Sequence, residues 1–255
     1  ARKIWAYVMR DRYGAKNERS LKLRFHAQTA GCSLTWQQPY NNVVRTALQA
    51  MSAVLGGAQS LHTNSLDEAY ALPGEHAVTI ALRTQQVLAY ESGVAATPDP
   101  LGGSYFLEKL TLESEAAAND YIRRIDDMGG MIPAIEAGFP QSEIASASYR
   151  YQREIEAGER IVVGVNRFQS DDQPPELLQI DESAARHQEQ KLAALRSRRD
   201  NVQVRRTLDA LKRAAEGTEN TMPCILDAVK AYATLGEICD AFRTVFGTYQ
   251  EATHL

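Results

Sequence analysis

Residues 21–28, Leu-Lys-Leu-Arg-Phe-His-Ala-Gln, alternate strictly between apolar and hydrogen-bonding side chains. Side chains of an extended chain point alternately to opposite faces, so Leu21, Leu23, Phe25 and Ala27 share one face and Lys22, Arg24, His26 and Gln28 the other. An antiparallel edge strand with its polar face in water satisfies this pattern. The flanking segments favour a different setting. Residues 1–13 carry Ile4, Trp5, Val8 and Met9 at helical spacing, with Gly14 as a left-handed stop. Residues 39–54 return to helical spacing through Val43, Val44, Ala47, Leu48 and Met51. A short strand over 58–62 follows Gly56-Gly57, and a helix runs from about 75 to 91. Helix, strand, helix, strand, helix is the rhythm of βα units in a parallel sheet or barrel. There the apolar set meets outer helices and the polar set faces a lumen, normally filled by Val, Ile and Leu. A hydrogen-bonding lumen implies a ligand or water inside it, and the small or polar Ala58, Ser60 and His62 on the second strand agree. Solvated edge strands and a ligand-lined lumen both remain open at this point.

Beyond Gly93 the pattern changes. A loop over 97–103 precedes a long helix to about 128, ended by Gly129-Gly130. Short helices are expected within 131–158, and Ile161-Val162-Val163-Gly164-Val165 reads as a strand. Residues 169–182 are acidic and contain Pro174-Pro175, the composition of a linker. Helices are expected over 183–216, 222–231 and 235–246, the last opened by the capping-box spacing Thr234-Leu235-Gly236-Glu237 and stopped at Gly247. Two strands cannot close a parallel sheet, and a barrel needs eight. The expected fold is therefore α/β, an incomplete (β/α)8 TIM barrel represented by its last strands and helices and followed by a mainly helical region. Its divisions are barrel over 1–95, helical extension over 96–168, linker over 169–182 and C-terminal helices over 183–255. Position 1 already reads as helix interior and is not Met, so the natural start is expected upstream.

Composition narrows the function. A net charge of −4 with no basic block argues against nucleic acid as a partner. Cys32, Cys224 and Cys239 are odd in number and far apart, which disfavours disulfides or a zinc site and suits a reducing, cytoplasmic setting. No apolar run approaches the ~20 residues needed to cross a bilayer.

Particular runs then become recognisable. Arg24-Phe25-His26-Ala27-Gln28-Thr29-Ala30-Gly31 resembles the seventh barrel strand and following loop of methylmalonyl-CoA mutases. Gln38-Pro39-Tyr40-Asn41-Asn42-Val43-Val44-Arg45-Thr46 resembles the next helix. The run from Leu55-Gly56-Gly57-Ala58-Gln59-Ser60 through Asn64-Ser65 to Asp67-Glu68-Ala69 resembles the eighth strand and its loop. Asp99-Pro100-Leu101-Gly102-Gly103-Ser104-Tyr105 and Val163-Gly164-Val165-Asn166 are further landmarks, so the likeness covers essentially the whole chain. It implies a barrel that binds acyl-CoA along its axis beneath adenosylcobalamin, whose cobalt–carbon homolysis starts a radical rearrangement of the acyl carbon skeleton.

Carried over by motif, His26, Gln28, Gln59, Ser60 and Arg19 are the expected acyl-CoA contacts. Gln59 and Ser60 have opposite strand parity and can share a ligand only near the strand end. Gly31, Glu68, Ala69, Ala71 and Gln152 are the expected cobalamin contacts. Each has a plainer reading: His26 as a buried histidine satisfied by backbone, Glu68 as the end of a capping box Ser65-Leu66-Asp67-Glu68, Gly31 as a turn, Arg19 as a solvated side chain. The resemblance puts the family's substrate-choosing tyrosine and arginine and its thioester-binding histidine on earlier strands, outside this sequence. The Asp-x-His-x-x-Gly motif of the cobalamin domain does not occur, so the lower cobalt ligand is expected from another domain or a small partner subunit, in a dimer or heterotetramer. Methylmalonyl-CoA is the default substrate, with 2-hydroxyisobutyryl-, isobutyryl- and ethylmalonyl-CoA as alternatives. A non-catalytic homologous subunit supporting a catalytic sister chain is the competing reading.

Overall fold

The computed structural model describes residues 1–171, 173 and 175–250. Asp172 and Pro174 of the expected linker, and residues 251–255 of the expected C-terminal helical region, lie outside them. The chain divides into two units between Leu178 and Gln179.

In the first unit, α1 (Arg2–Tyr7) widens into a π turn over Val8–Arg12 and stops before Gly14, whose φ is +64°. The strand expected over 21–28 is much shorter. Asn17 accepts the Arg19 N–H and caps a 3-10 turn over Glu18–Leu21, and only β1 (His26–Gln28) is laddered. The two faces persist nonetheless, because Leu21, Leu23, Phe25 and Ala27 are half-buried while Lys22, Arg24, His26 and Gln28 are exposed. Burial therefore follows side-chain parity along the whole segment, whereas strand pairing ends where the three-residue partner β2 (Ser60–His62) ends.

Between them lies α2 (Asn41–Leu55), and α3 (Glu75–Tyr90) follows β2. The strands pair in parallel, with His26 opposite Ser60, Ala27 opposite Leu61 and Gln28 opposite His62. Helix α2 packs against both β2 and α3, burying Asn42, Thr46 and Ala50 on one side and Ala77, Ala81 and Leu88 on the other. At Gly57 (φ +75°) a Cβ would lie 2.5 Å from Arg2 Nη1, which donates to the Gly57 carbonyl at 2.9 Å. Glycine is required there because α1 crosses the turn into β2 at hydrogen-bonding distance.

The long helix arrives as α4 (Tyr105–Asp127), tied back by Lys3–Glu115 at 2.8 Å and Arg12–Asp126 at 2.7 Å. Two shorter helices follow, α5 (Met131–Glu136) and α6 (Phe139–Glu156). The strand expected at 161–165 is instead a tight turn with a single bridge between Val163 and Arg167. Asn166 is the reason. Its side chain accepts from Val162 N (2.8 Å) and donates to the carbonyls of Ile155 (3.0 Å) and Arg160 (2.8 Å), taking up groups a ladder would need.

In the second unit the helix expected over 183–216 is two, α7 (Ser183–Arg198) and α8 (Asn201–Glu216). Asp200 is extended, and its carboxylate caps α8 by accepting from Val202 N (2.9 Å) and Gln203 N (3.1 Å). Then come α9 (Met222–Lys230) and α10 (Leu235–Phe246), the latter opened by the expected Thr234–Glu237 capping box. Leu211, Ala228, Ile238 and Ala241 form the core that joins α8, α9 and α10. No helix among the described residues is long and apolar enough to cross a membrane.

Candidate functional site

The parallel register sets His26, Gln28, Ser60 and His62 on one exposed face of the two strands. His26 Nδ1 and Ser60 Oγ meet at 2.7 Å, so the two side chains form a single unit. Whichever group donates, Nε2 of the ring retains hydrogen-bonding capacity for a guest on that face. His26 is exposed, which removes its reading as a buried histidine satisfied by backbone. Gln59 differs from its neighbour. Its Oε1 accepts from Phe25 N at 2.8 Å and its Nε2 donates to the Gly57 carbonyl at 2.8 Å, so its amide clamps the entry to the ladder.

At the carboxyl ends of the strands the chain goes polar and stays buried. Thr63, Asn64, Ser65, Leu66 and Asp67 are all buried, as is Thr29 after β1. Buried polar atoms need partners, and here the two loops supply one another. Thr29 Oγ1 donates to Asn64 Oδ1 (2.7 Å) and accepts from Asn64 N (2.9 Å). Thr63 Oγ1 donates to the Ala81 carbonyl (2.8 Å) and accepts from Gln85 Nε2 (3.0 Å), which fastens the loop to α3. Asn42 Nδ2 donates to the carbonyls of Thr35 (2.7 Å) and Leu66 (2.9 Å), while its Oδ1 accepts from Thr35 N (3.1 Å). Half-buried Arg45 donates to Asn42 Oδ1 (2.8 Å), Thr35 Oγ1 (2.8 Å) and the Val163 carbonyl (2.7 Å), and burial lowers its pKa from the ordinary guanidinium value.

Asp67 organises the loop from 67 to 74. Its carboxylate accepts from Gly74 N (2.8 Å), and its carbonyl accepts from Tyr70 N (2.8 Å) and Ala71 N (3.2 Å). Glu68, Ala69 and Ala71 are thereby left on the exposed side. No helix begins at Ser65-Leu66-Asp67-Glu68, so the capping-box reading of Glu68 fails; Glu68 N instead donates to the Ser65 carbonyl at 3.1 Å in a turn. Gly31 has a role other than left-handed turning. A Cβ there would lie 3.1 Å from both Asn64 Nδ2 and Glu68 Oε1. Glycine at 31 thus lets the two loops close on one another, and Gly31, Asn64 and Glu68 come together at the strand ends. Asn64 Nδ2 is buried with no partner among the described residues, as is Asp67 Oδ1.

Gly31→Ala is expected to cost about 1 kcal/mol, because the flexible Glu68 carboxylate can move away while Asn64, held twice by Thr29, cannot. The bulkier Gly31→Val is expected to cost about 2–3 kcal/mol. Equilibrium denaturation of the two variants checks this, and equal, negligible losses would mean that the loops have room to spare.

The remaining candidates lie elsewhere. Arg19 is exposed in the turn before β1, and Gln152 is exposed on α6 with its amide donating to Glu156 Oε1 at 2.9 Å. No hydrogen bond joins either to the Gly31–Asn64–Glu68 group among the described residues. Asn42, Asn64, Asp67 and Thr29 were not singled out as site residues from the sequence, yet they build the support. The available signal for Thr29, Asn64 and Asp67 was their position just after the two short strands; Asn42, in the first turn of α2, carried none.

The family model described as methylmalonyl-CoA mutase matches residues 1–248. The chain belongs to the methylmalonyl-CoA mutase family. It is 45% identical over 98% of its length to the 2-hydroxyisobutanoyl-CoA mutase large subunit of Aquincola tertiaricarbonis, covering 45% of that protein. It is 45% identical over 98% of its length to the methylmalonyl-CoA mutase of Rhizobium meliloti and 44% identical, again over 98%, to the human mitochondrial enzyme. The chain spans 35% and 34% of those two, less than half of each relative.

Proposed function

We propose that the chain is part of an adenosylcobalamin-dependent acyl-CoA mutase, an isomerase, and that β1, α2, β2 and α3 are the last two βα units of its (β/α)8 barrel. The observation that carries this reading is the paired His26–Ser60 contact on an open, hydrogen-bonding strand face. A closed barrel turns that face inward. On this reading residues 1–95 complete the barrel, 96–168 pack on it as a helical extension, 169–182 link, and 183–255 form the C-terminal helices.

In this scheme His26, Ser60 and Gln28 hold an acyl-CoA thioester by hydrogen bonds, with Gln59 fixing the strand that carries Ser60. Arg19 meets the phosphate end of the CoA. The loop residues also suit a large cofactor rich in amides and hydroxyls. Gly31, Ala69 and Ala71 present little bulk, Glu68 is an exposed acceptor, and Asn64 keeps a donor in reserve. Adenosylcobalamin, when bound, supplies a carbon radical by homolysis of its cobalt–carbon bond. Gly31, Glu68, Ala69, Ala71 and Gln152 would hold it, while the buried loops keep water from the reacting carbon. Another domain or a small cobalamin-binding subunit would complete the cofactor's binding; the Aquincola relative is itself named as a large subunit.

The test is isomerisation by the complete protein, with its partner and cofactor, of methylmalonyl-, 2-hydroxyisobutyryl-, isobutyryl- and ethylmalonyl-CoA. Turnover of one of them is expected, with kcat/KM falling about 10- to 100-fold in His26→Ala, the range for losing one or two ligand hydrogen bonds. Absence of turnover with all four would reject the catalytic reading in favour of a non-catalytic homologous subunit.

A further inference from the structure

We propose that the groove between α8 and α9 binds a small molecule bearing at least two phosphate groups. Arg206, Ala210 and Arg213 follow one face of α8, Asp227 and Lys230 one face of α9, and Ala231 lies just past its end; together they border a cavity of about 470 Å3. That volume lies in the range of small-molecule sites, roughly 300–1,000 Å3. Ala210 and Ala231 leave room near the helix backbones, while the long cationic side chains stand around the opening.

What sets this groove apart is that three cations line one cavity together. Arg206, Arg213 and Lys230 make no ion pair among the described residues, although Asp227 borders the same cavity. Other cations of the unit, Arg196 and Lys212 among them, also make no ion pair among the described residues, but they do not line this cavity. Arg206, Arg213 and Lys230 are exposed and outnumber the one carboxylate on the groove, Asp227, so the concave space carries a positive excess that a bound anion can neutralise. Arginine and lysine are the side chains suited to phosphate, arginine by bidentate hydrogen bonds. Arg206 and Arg213 are two helical turns apart, roughly 10 Å along the axis. A diphosphate or a nucleotide spreads its charge along that distance and can meet all three cations without drawing them together on one point.

The experiment is calorimetric titration of the complete protein with pyrophosphate, ADP and orthophosphate, and with a triglutamate peptide as the competing chemistry. Pyrophosphate or ADP is expected to bind saturably and more tightly than orthophosphate, with an affinity that falls as salt rises. The double variant Arg206→Ala/Arg213→Ala should weaken this binding at least about tenfold, in keeping with the loss of charge-assisted hydrogen bonds. Arg243→Ala, outside the groove, should leave it unchanged. Asp227→Asn should tighten it about threefold, a gain that misfolding cannot mimic. Binding insensitive to the double variant and to Asp227→Asn assigns any phosphate site to another part of the protein and overturns the proposal. So does triglutamate binding in the absence of phosphate binding.

Discussion

Asn42→Ala will destabilise the first unit by about 3–4 kcal/mol, although Asn42 occupies a helix position where alanine has the higher intrinsic propensity. Its side chain is fully buried, with a relative exposure of 0%. Its amide donates to the carbonyls of Thr35 and Leu66 and accepts from Thr35 N and Arg45, joining the loop after β1, the start of α2 and the loop after β2. Alanine leaves these backbone groups buried and unpaired and opens a void beside them, two costs that add. Asn42→Asp keeps the acceptor but sets an oxygen against the Thr35 and Leu66 carbonyls, so it should fare no better. The neighbouring Asn41 makes one side-chain bond among the described residues, to Gln38 Oε1 at 2.7 Å, and Asn41→Ala should cost less than about 1 kcal/mol. Hydrogen exchange of the Thr63–Asp67 amides in the complete protein separates a local opening from global unfolding. A loss for Asn42→Ala as small as that for Asn41→Ala would show that something else holds the loops together.

That prediction marks where sequence pattern stops being informative. Helical spacing located α2, α3, α4 and α10 closely, although only α3 and α10 bury an apolar stripe, through Ala77, Ala81 and Leu88 and through Ile238 and Ala241; α2 buries Asn42, Thr46 and Ala50 and leaves Val44 and Leu48 exposed. Parity along 21–28 anticipated which side chains are exposed, since it follows from backbone geometry alone. Strand length did not follow, because a ladder needs a partner and Leu21 is drawn into the turn that Asn17 caps. The apolar run at 161–165 misled for a related reason: Asn166, just outside it, captures the backbone groups first. The break at Arg199-Asp200 was hidden because Asp200 reads equally well as a polar helix surface residue and as a cap.

The candidate site shows the same division. His26 and Ser60 were legible as neighbours once the two strands were set parallel, and their contact at 2.7 Å follows from the register. Gln59 was legible as a motif residue but not as a clamp, because its partners are backbone groups at Phe25 and Gly57. Thr29, Asn64 and Asp67 carry residue types typical of solvated turns. Only the approach of two loops that start 34 residues apart, as Thr29 and Thr63 do, buries them, and no local window contains both. Gly31 is intelligible for the same reason, as the contact point of those loops rather than as a turn.

The second unit should lose a discrete part of its stability in acid, through one residue. Arg199 has a side-chain exposure of 6% and grips the Glu237 carboxylate with both terminal nitrogens, one of them at 2.7 Å, while also donating to the Tyr232 carbonyl at 2.9 Å. The guanidinium, with the Thr234 backbone and hydroxyl groups behind it, holds the Glu237 carboxyl down to about 2, against the ordinary 4.5. A displacement of that size is worth about 3 kcal/mol, and the 26% exposure of Glu237 trims it to about 2–3. Because the folded-state value is the lower one, the contribution is fully present above the unfolded value, near 4.5, and disappears as pH falls through about 2. Arg199→Ala should remove a comparable amount at neutral pH, about 3 kcal/mol, since it strands a partly buried carboxylate and frees the Tyr232 carbonyl. It should also flatten the acid dependence, because Glu237 then ionises closer to its ordinary range. Hydrogen exchange of α8 and α10 amides at neutral pH and near pH 3 reads both effects in the complete protein. The expected pattern is protection in the parent that declines with acid, and protection in Arg199→Ala that starts lower and declines less. Parallel declines in the two proteins would locate the acid sensitivity in other groups and reduce this pair to a surface contact.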